Sequence, residues 1–507
     1  MKVQSHPAYL VALGTMVWGL AYVGSARGED KSSVRWPQFR GPDAAGRAEE
    51  GTYPVEFGLN KNLLWSAELP RGVSSPCVWD DRIYLTGCLE DTREMVTVCL
   101  DRESGRELWR RGVVAEKIEK MNAVSSPAAG TPVSDGQRVY VYFGSYGLLC
   151  YSSDGKQLWE YRLPIPRTFE GSGTSAILVG ERLILKRDQL AQRGRPSFLL
   201  ALDRQSGDVA WRTDRDIVIP GASTPVYWPH DGLDELIVAS SGELIGYDPS
   251  DGTERWRVEG LPRTVNATPV VAAGHVFFVG SDLHGVPENV AIPPPFEEFV
   301  KKYDKDDDGL VSREEITEDL VIIDRHSDGA GDKTLLNWFF RGTDQNKDQK
   351  LDDPEWMSLL RRVQRTGERL QSGAYAVRLG GEGDVTETHV IWQQQRGVPE
   401  VPSPLYYDGR IYYVSNGGII FCRDARSGDE LFKGRLGVAG GYYASPVVGD
   451  GKIYIAAERG AIIVIEAGEK LKLLATNDLG EPLMATPALV DGKIYVRSNS
   501  RLHAFGL

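Results

Sequence analysis

Several things are scarce in this chain of 507 residues, and each scarcity removes a class of protein. Five cysteines are too few and too scattered for a disulfide framework, and no two are adjacent. Seven histidines show no metal-ligand or triad spacing, and His6 lies in an N-terminal apolar segment. No catalytic residue is therefore assigned from the sequence. Basic charge is also in deficit: 58 Lys and Arg face 71 Asp and Glu, for a net charge of −13. Such a balance speaks against binding nucleic acid or an anionic surface. The one long apolar run, Tyr9 to Val23, falls short of the ~20 residues a membrane span needs. Preceded by Lys2 and followed by Gly24-Ser-Ala26, it predicts a cleaved export signal over residues 1–26, with no membrane span in the mature chain. No cysteine lies near that junction to carry a lipid anchor.

What the chain has in abundance is repetition. Asp101-Arg-Glu-Ser-Gly-Arg-Glu-Leu-Trp109 returns as Ser153-Asp-Gly-Lys-Gln-Leu-Trp159, Asp203-Arg-Gln-Ser-Gly-Asp-Val-Ala-Trp211 and Asp248-Pro-Ser-Asp-Gly-Thr-Glu-Arg-Trp256. Asp424-Ala-Arg-Ser-Gly-Asp-Glu-Leu-Phe432 is a fifth copy with Phe for Trp. Asp or Ser opens a tight turn, Gly takes the positive φ, and the strand that follows carries a large aromatic to bury against a neighbouring unit. A Thr/Ser-Pro strand start precedes each copy, with prolines at 76, 132, 225, 269, 404, 446 and 487 and Ser175 in the equivalent slot.

Four short strands per unit, at a period of about 42 residues, predict propeller blades. Only the step from Pro269 to Pro404 is long, and excising residues 282–372 restores the period, so that span is an insertion in the fifth unit. The last unit ends one strand short at Arg501–Phe505. The missing strand is Asn62–Leu69, whose Trp65 falls where the repeat needs it. Ring closure by an N-terminal strand removes the open sheet edges. The expected fold is an all-β, eight-bladed propeller of four-stranded blades over 36–281 and 373–507, with a small helical insertion in blade five. Cys77 and Cys99 then lie two strands apart, about 9.5 Å, too far for a disulfide. Trp36-Pro-Gln-Phe-Arg-Gly41 is expected to pack across the end blades.

These Trp repeats, with the export signal and the count of eight, resemble the PQQ-like β-propeller family of quinoprotein alcohol dehydrogenases and outer-membrane assembly factors. The resemblance implies the fold and an exported, periplasmic location; it does not imply one function. The dehydrogenases carry an adjacent Cys-Cys pair near their quinone. This chain has none, nor a Glu/Asn/Asp set in obvious register with their metal site, so no PQQ is expected.

The insertion carries the sharpest chemistry. Asp304-Lys-Asp306-Asp-Asp308-Gly309-Leu310-Val-Ser312-Arg-Glu-Glu315 fits a twelve-residue EF-hand calcium loop. Asp304, Asp306 and Asp308 supply carboxylates, Gly309 the sharp turn, Leu310 a backbone carbonyl, Ser312 a water-mediated contact and Glu315 a bidentate close. A second loop offers Asp344, Asn346, Asp348, Lys350 through its carbonyl, Asp352 and Glu355, with Gln349 where a glycine is preferred. Pro295–Tyr303, Lys333–Phe340 and Glu355–Gln371 are the expected flanking helices, Val311 and Leu351 the expected pairing between loops, and Asp324–Asp332 a linker. The insertion leaves blade five between its second and third strands, on the face where blade-to-blade connections ring the channel. Arg167, Glu170, Arg263, Asn266, Tyr442 and Tyr443 are candidates to line that channel mouth. Two readings stay open: a calcium-loaded, non-catalytic binding or scaffold protein whose protein or small-molecule partner is unidentified, and a quinone-dependent oxidoreductase with its site at the channel mouth.

Overall fold

The computed structural model describes residue 1 and residues 35–507, apart from 49–50, 191–195, 216, 218–219, 231–232, 263, 282–288, 291–292, 319, 325–332, 337–339, 341–342, 345, 370–371 and 396. The expected export signal thus lies outside the described residues. Residues Val34–Leu507 form one compact unit.

Eight four-stranded antiparallel blades follow the repeat, each built on consecutive strands apart from blade five, which the insertion interrupts, and the closing blade. In blade one these are Cys77–Trp79, Arg82–Leu89, Glu94–Asp101 and Glu107–Val114. Blade eight takes Ala488–Val490, Lys493–Arg497 and Arg501–Phe505 from the end of the chain and Leu63–Glu68 from its start. The closing strand pairs antiparallel, Leu63 opposite Phe505 and Trp65 opposite Ala504. Blade five joins His275–Gly280 directly to Gly373–Arg378 across the insertion.

The structure explains both halves of the repeat. Each indole N–H reaches the turn of the next blade: Trp65 to the Arg102 carbonyl (3.0 Å), Trp109 to Ser153 (2.9 Å), Trp159 to Arg204 (3.1 Å), Trp211 to Pro249 (3.1 Å) and Trp392 to Ala425 (3.0 Å). The turn glycine leaves room for the ring. A Cβ on Gly105 would stand 2.4 Å from Trp65, and one on Gly207 2.8 Å from Trp159. Trp256 breaks the pattern, because blade five has no such turn; its N–H goes to Glu235 Oε1 of its own blade (2.9 Å).

The Ser/Thr before each proline forms a ring around the channel, joined in blade three by Ser175, which takes the Ser/Thr position before Ala176 and not the proline slot expected for it. Backbone N–H groups of Ser75, Thr131, Ser175, Thr224, Thr268, Ser403 and Ser445 each donate to the hydroxyl of the next in order, ending at Thr486, at 2.9–3.1 Å. Across the seam between blades eight and one, buried Arg497 takes over, donating to the Ser74 and Pro70 carbonyls (both 3.2 Å).

Two expectations need correction. The Trp36 segment does not merely span the end blades. Arg35 and Trp36 pair with the inner strand of blade one, Pro37 accepts from Ser134 of blade two, and Arg40 donates to Pro404 of blade six. Arg47 then bridges Val448 of blade seven. The segment crosses the channel, and the 1% exposed Trp36 helps fill it. In the insertion, Lys333–Leu335 is a strand paired with Val321–Asp324, not the first turn of a helix; residues 337–339 of the expected helix lie outside the described residues. All five cysteines are buried and unpaired. Among the described residues no helix is long and apolar enough to cross a membrane.

Candidate metal centre and channel mouth

The first candidate site is built by local chain geometry. The helix Phe296–Tyr303 delivers Asp304, and the loop then turns back on itself through Gly309, whose φ is +82°. Gly309 N–H donates to Asp304 Oδ2 (2.8 Å), and Leu310 N–H to Asp308 Oδ1 (2.9 Å). Glu315 closes the loop, accepting from Lys305 N–H at Oε1 (2.7 Å) and Ser312 N–H at Oε2 (2.6 Å). Burial pushes the Glu315 carboxyl up, but these N–H groups outweigh it and hold it below the ordinary range. Ligand atoms of Asp304, Asp306 and Glu315 come within 4.8 Å of one another.

The second loop repeats this design nearly bond for bond. Gln349 N–H donates to Asp344 Oδ2 (3.0 Å), and Lys350 N–H to Asp348 Oδ1 (2.8 Å). Glu355 accepts from Asn346 N–H (3.1 Å) and Asp352 N–H (3.2 Å), while Asp352 caps Glu355 N–H (2.9 Å). Gln349 sits at φ +68°, the conformation that costs a side chain about 1 kcal/mol or more relative to glycine. Val311 and Leu351 pair as expected, and Ser312 lies opposite Lys350.

In each loop the first-position carboxylate has one oxygen already engaged by the turn and one, Asp304 Oδ1 or Asp344 Oδ1, that is buried without a hydrogen-bond partner. Two orphaned anionic oxygens at equivalent loop positions are what a hard cation would satisfy. The residues present fit calcium. Lys350 adds a feature the sequence did not announce: its ammonium reaches across to Asp308 and lies 3.5 Å from Asp306.

The loops share a core of their own. Phe299, Tyr303, Val311, Leu351 and Trp356 pack together, with Phe299 and Trp356 stacked at 3.7 Å. Trp356 Nε1 donates to the Pro294 carbonyl (2.8 Å).

The channel mouth is the second candidate. Connections entering blades three to five frame a small, solvent-open cup, with Glu170, Arg187, Asp188, Thr264 and Asn266 among its walls. Asn266 Nδ2 donates to Glu170 Oε2 (3.0 Å) and its Oδ1 accepts from Ala222 N–H (3.1 Å), so these two expected residues do meet. Arg167 is exposed and does not line the cup. Tyr442 is buried at 1% exposure, its hydroxyl donating to the Val438 carbonyl (2.8 Å), and Tyr443 is half-buried; neither lines the cup. Arg263 lies outside the described residues. Sequence reading missed Glu119, Tyr142, Arg187 and Asp188, since nothing in their spacing brings them together. The insertion leaves from the cup's rim, where Ser281 and wall residue Thr264 exchange both backbone hydrogen bonds (3.1 and 3.2 Å).

A family model described as the outer membrane protein assembly factor BamB matches residues 59–214, 197–289 and 381–507. No curated protein sequence matches the chain. Among solved structures, BamB from Moraxella catarrhalis is 11% identical, with a TM-score of 0.51 over 88% of this chain and 97% of its own. A europium-containing methanol dehydrogenase is 12% identical, with a TM-score of 0.58 over 94% and 98%. The quinohemoprotein alcohol dehydrogenase from Comamonas testosteroni is 10% identical, with a TM-score of 0.53 over 93% and 80%. At these identities the structural likeness concerns the fold alone.

Proposed function

Because the chain belongs to the family of the outer membrane protein assembly factor BamB, we propose that it is an exported calcium-binding β-propeller acting as a non-catalytic binding scaffold. The observation that carries the metal part is the pair of equivalent orphaned oxygens, Asp304 Oδ1 and Asp344 Oδ1. Each faces a loop whose other donors are already folded into position by backbone N–H groups. In the first loop Asp304, Asp306 and Asp308, the Leu310 carbonyl, Ser312 through water and both oxygens of Glu315 would hold the ion. In the second, Asp344, Asn346, Asp348, the Lys350 carbonyl, Asp352 and Glu355 would do so. Calcium supplies positive charge that neutralises these carboxylates and ties each incoming segment to its closing Glu.

The scaffold part rests on the family and on the absence of any Cys-Cys pair in the sequence. The family description and the expected signal at 1–26 support a periplasmic location. The Glu170–Asn266 pair at the channel mouth favours keeping the quinone-dependent oxidoreductase as the competing reading. An absorbance spectrum of the purified protein, with dye reduction after quinone and calcium are added, separates the two. No chromophore and no dye reduction support the scaffold; a quinone spectrum with turnover supports the oxidoreductase.

A further inference from the structure

Under the channel mouth, between blades two and three, lies a set of buried groups that nothing so far has used. Arg187 ends the second strand of blade three, at 3% exposure. One of its nitrogens, Nη2, donates to the Pro164 carbonyl, while Nε and Nη1 are buried with no partner. Tyr142 is the last residue but one of the matching strand of blade two, Arg138–Phe143, and its hydroxyl is likewise buried and unpartnered. Glu119, 4% exposed, accepts from Ser172 Oγ at Oε2 (2.8 Å) and leaves Oε1 orphaned. Arg187, Tyr142 and Ser172 all border the cup. Three neighbouring buried side chains with unmet hydrogen-bonding capacity, two of them bordering one open cup, call for an occupant.

Charge narrows what the occupant is. Lys186 and Arg215 are both engaged by Asp188, at 3.1 and 2.6 Å. Arg187 makes no ion pair of 4 Å or less among the described residues, so when Glu119 is protonated Lys186, Arg187 and Arg215 face only Asp188, an excess of two positive charges. Burial pushes the Glu119 carboxyl up to about 7, and its partner Ser172 and the charge of Arg187 only partly offset this. When that carboxyl holds its proton, it joins the two N–H groups of Arg187 and the O–H of Tyr142 as a donor. The cluster then offers several donors, and Glu170 on the rim offsets one of the two excess positive charges. Glu170 on the rim sets a limit, because it repels a second negative charge.

We propose that the cup is a binding site for a small monocarboxylate, held by Arg187 and Tyr142. The carboxylate takes the place of a counter-ion to Arg187, and the rest of the ligand lies in the open cup toward Thr264 and Asn266. This site is separate from the calcium loops, and its occupation does not depend on their filling.

The test is calorimetric titration of the full-length protein with acetate and lactate, and with inorganic phosphate as the dianionic control. Expected is saturable binding of the monocarboxylates at about 1 mM or tighter. Arg187→Gln should weaken it by roughly tenfold or more, as loss of a charged donor does. Tyr142→Phe, which keeps the ring packed, should weaken it severalfold, while Glu119→Gln, which keeps a donor and removes the charge, should bind at least as well as the parent. The Tyr142→Phe and Glu119→Gln variants keep the test open if Arg187→Gln does not fold. Absence of saturable monocarboxylate binding to the parent overturns the proposal. So does phosphate binding as tightly as lactate, or Tyr142→Phe and Arg187→Gln binding with parental affinity.

Discussion

At the scale of single residues, Asp304 and Asp344 each keep one carboxylate oxygen, Oδ1, buried without a hydrogen-bond partner, while the other accepts from the N–H of the turn residue, Gly309 or Gln349. The calcium-loop pattern lies within twelve consecutive residues, and the structure gives Gly309 and Gln349 the same left-handed turn. Glu119 comes from the connection between blades one and two, Tyr142 from blade two and Arg187 from blade three, and their meeting depends on how these parts pack. Their spacing carries no signal. Two outcomes follow from particular side chains. Gln349→Gly removes the cost of a side chain at φ +68°, about 1 kcal/mol, and should tighten calcium binding at the second loop about fivefold, measured by titration calorimetry. Glu119 gives a pH signature. Its folded pKa of about 7 lies above the 4.5 of the free side chain, so the native state holds a proton that the unfolded chain has released. Its contribution is complete below about pH 4.5 and is lost as pH rises toward 7, on the order of 2–3 kcal/mol. Melting of the parent minus Glu119→Gln, followed from pH 4.5 to 7.5, should trace that loss and then level off. A flat difference would mean that Glu119 is not shifted.

At the scale of elements, the repeat was legible because each copy carries its own reason. The turn glycine must adopt positive φ and must also admit the preceding blade's indole, two demands on one position. The Ser/Thr-Pro starts read as strand openings; their second use, the hydrogen-bonded ring around the channel, needs the circle itself and could not be seen in one dimension. Lys333–Leu335 was misread because a short apolar run suits strand or helix equally, and pairing with Val321–Asp324 decided the matter. The Trp36–Gly41 segment does more than pack across the end blades for a similar reason: its role depends on which inner strands stand open across the channel. Removal of residues 27–69 should therefore do two things at once, exposing the edge of Arg501–Phe505 and emptying the space filled by Trp36. We expect a truncated protein that aggregates and elutes as large species in size-exclusion chromatography. A monomer as heat-stable as the parent would contradict closure by Leu63–Glu68.

At the scale of the whole molecule, eight units and a closing strand gave the architecture, because closure can be counted. Function is less legible, since the same ring serves proteins with and without redox chemistry. Without a Cys-Cys pair, the account expects no quinone-dependent oxidation of alcohols or aldoses, tested by dye reduction after incubation with quinone and calcium. Stoichiometric quinone binding with turnover would reverse this.

The most direct test of the central claim is calorimetric calcium titration of the chain and of Glu315→Gln, followed by melting in calcium and in chelator. The parent should bind calcium, and Glu315→Gln should lose most of the affinity of the first loop. If that loop's Kd is about 10⁻⁵ M, 1 mM calcium should stabilise its bound form by about 2.7 kcal/mol. The gain should be confined to the transition of residues 282–372, with the propeller's melting unchanged by chelator. A parent chain that gives no calcium-dependent heat would contradict the account.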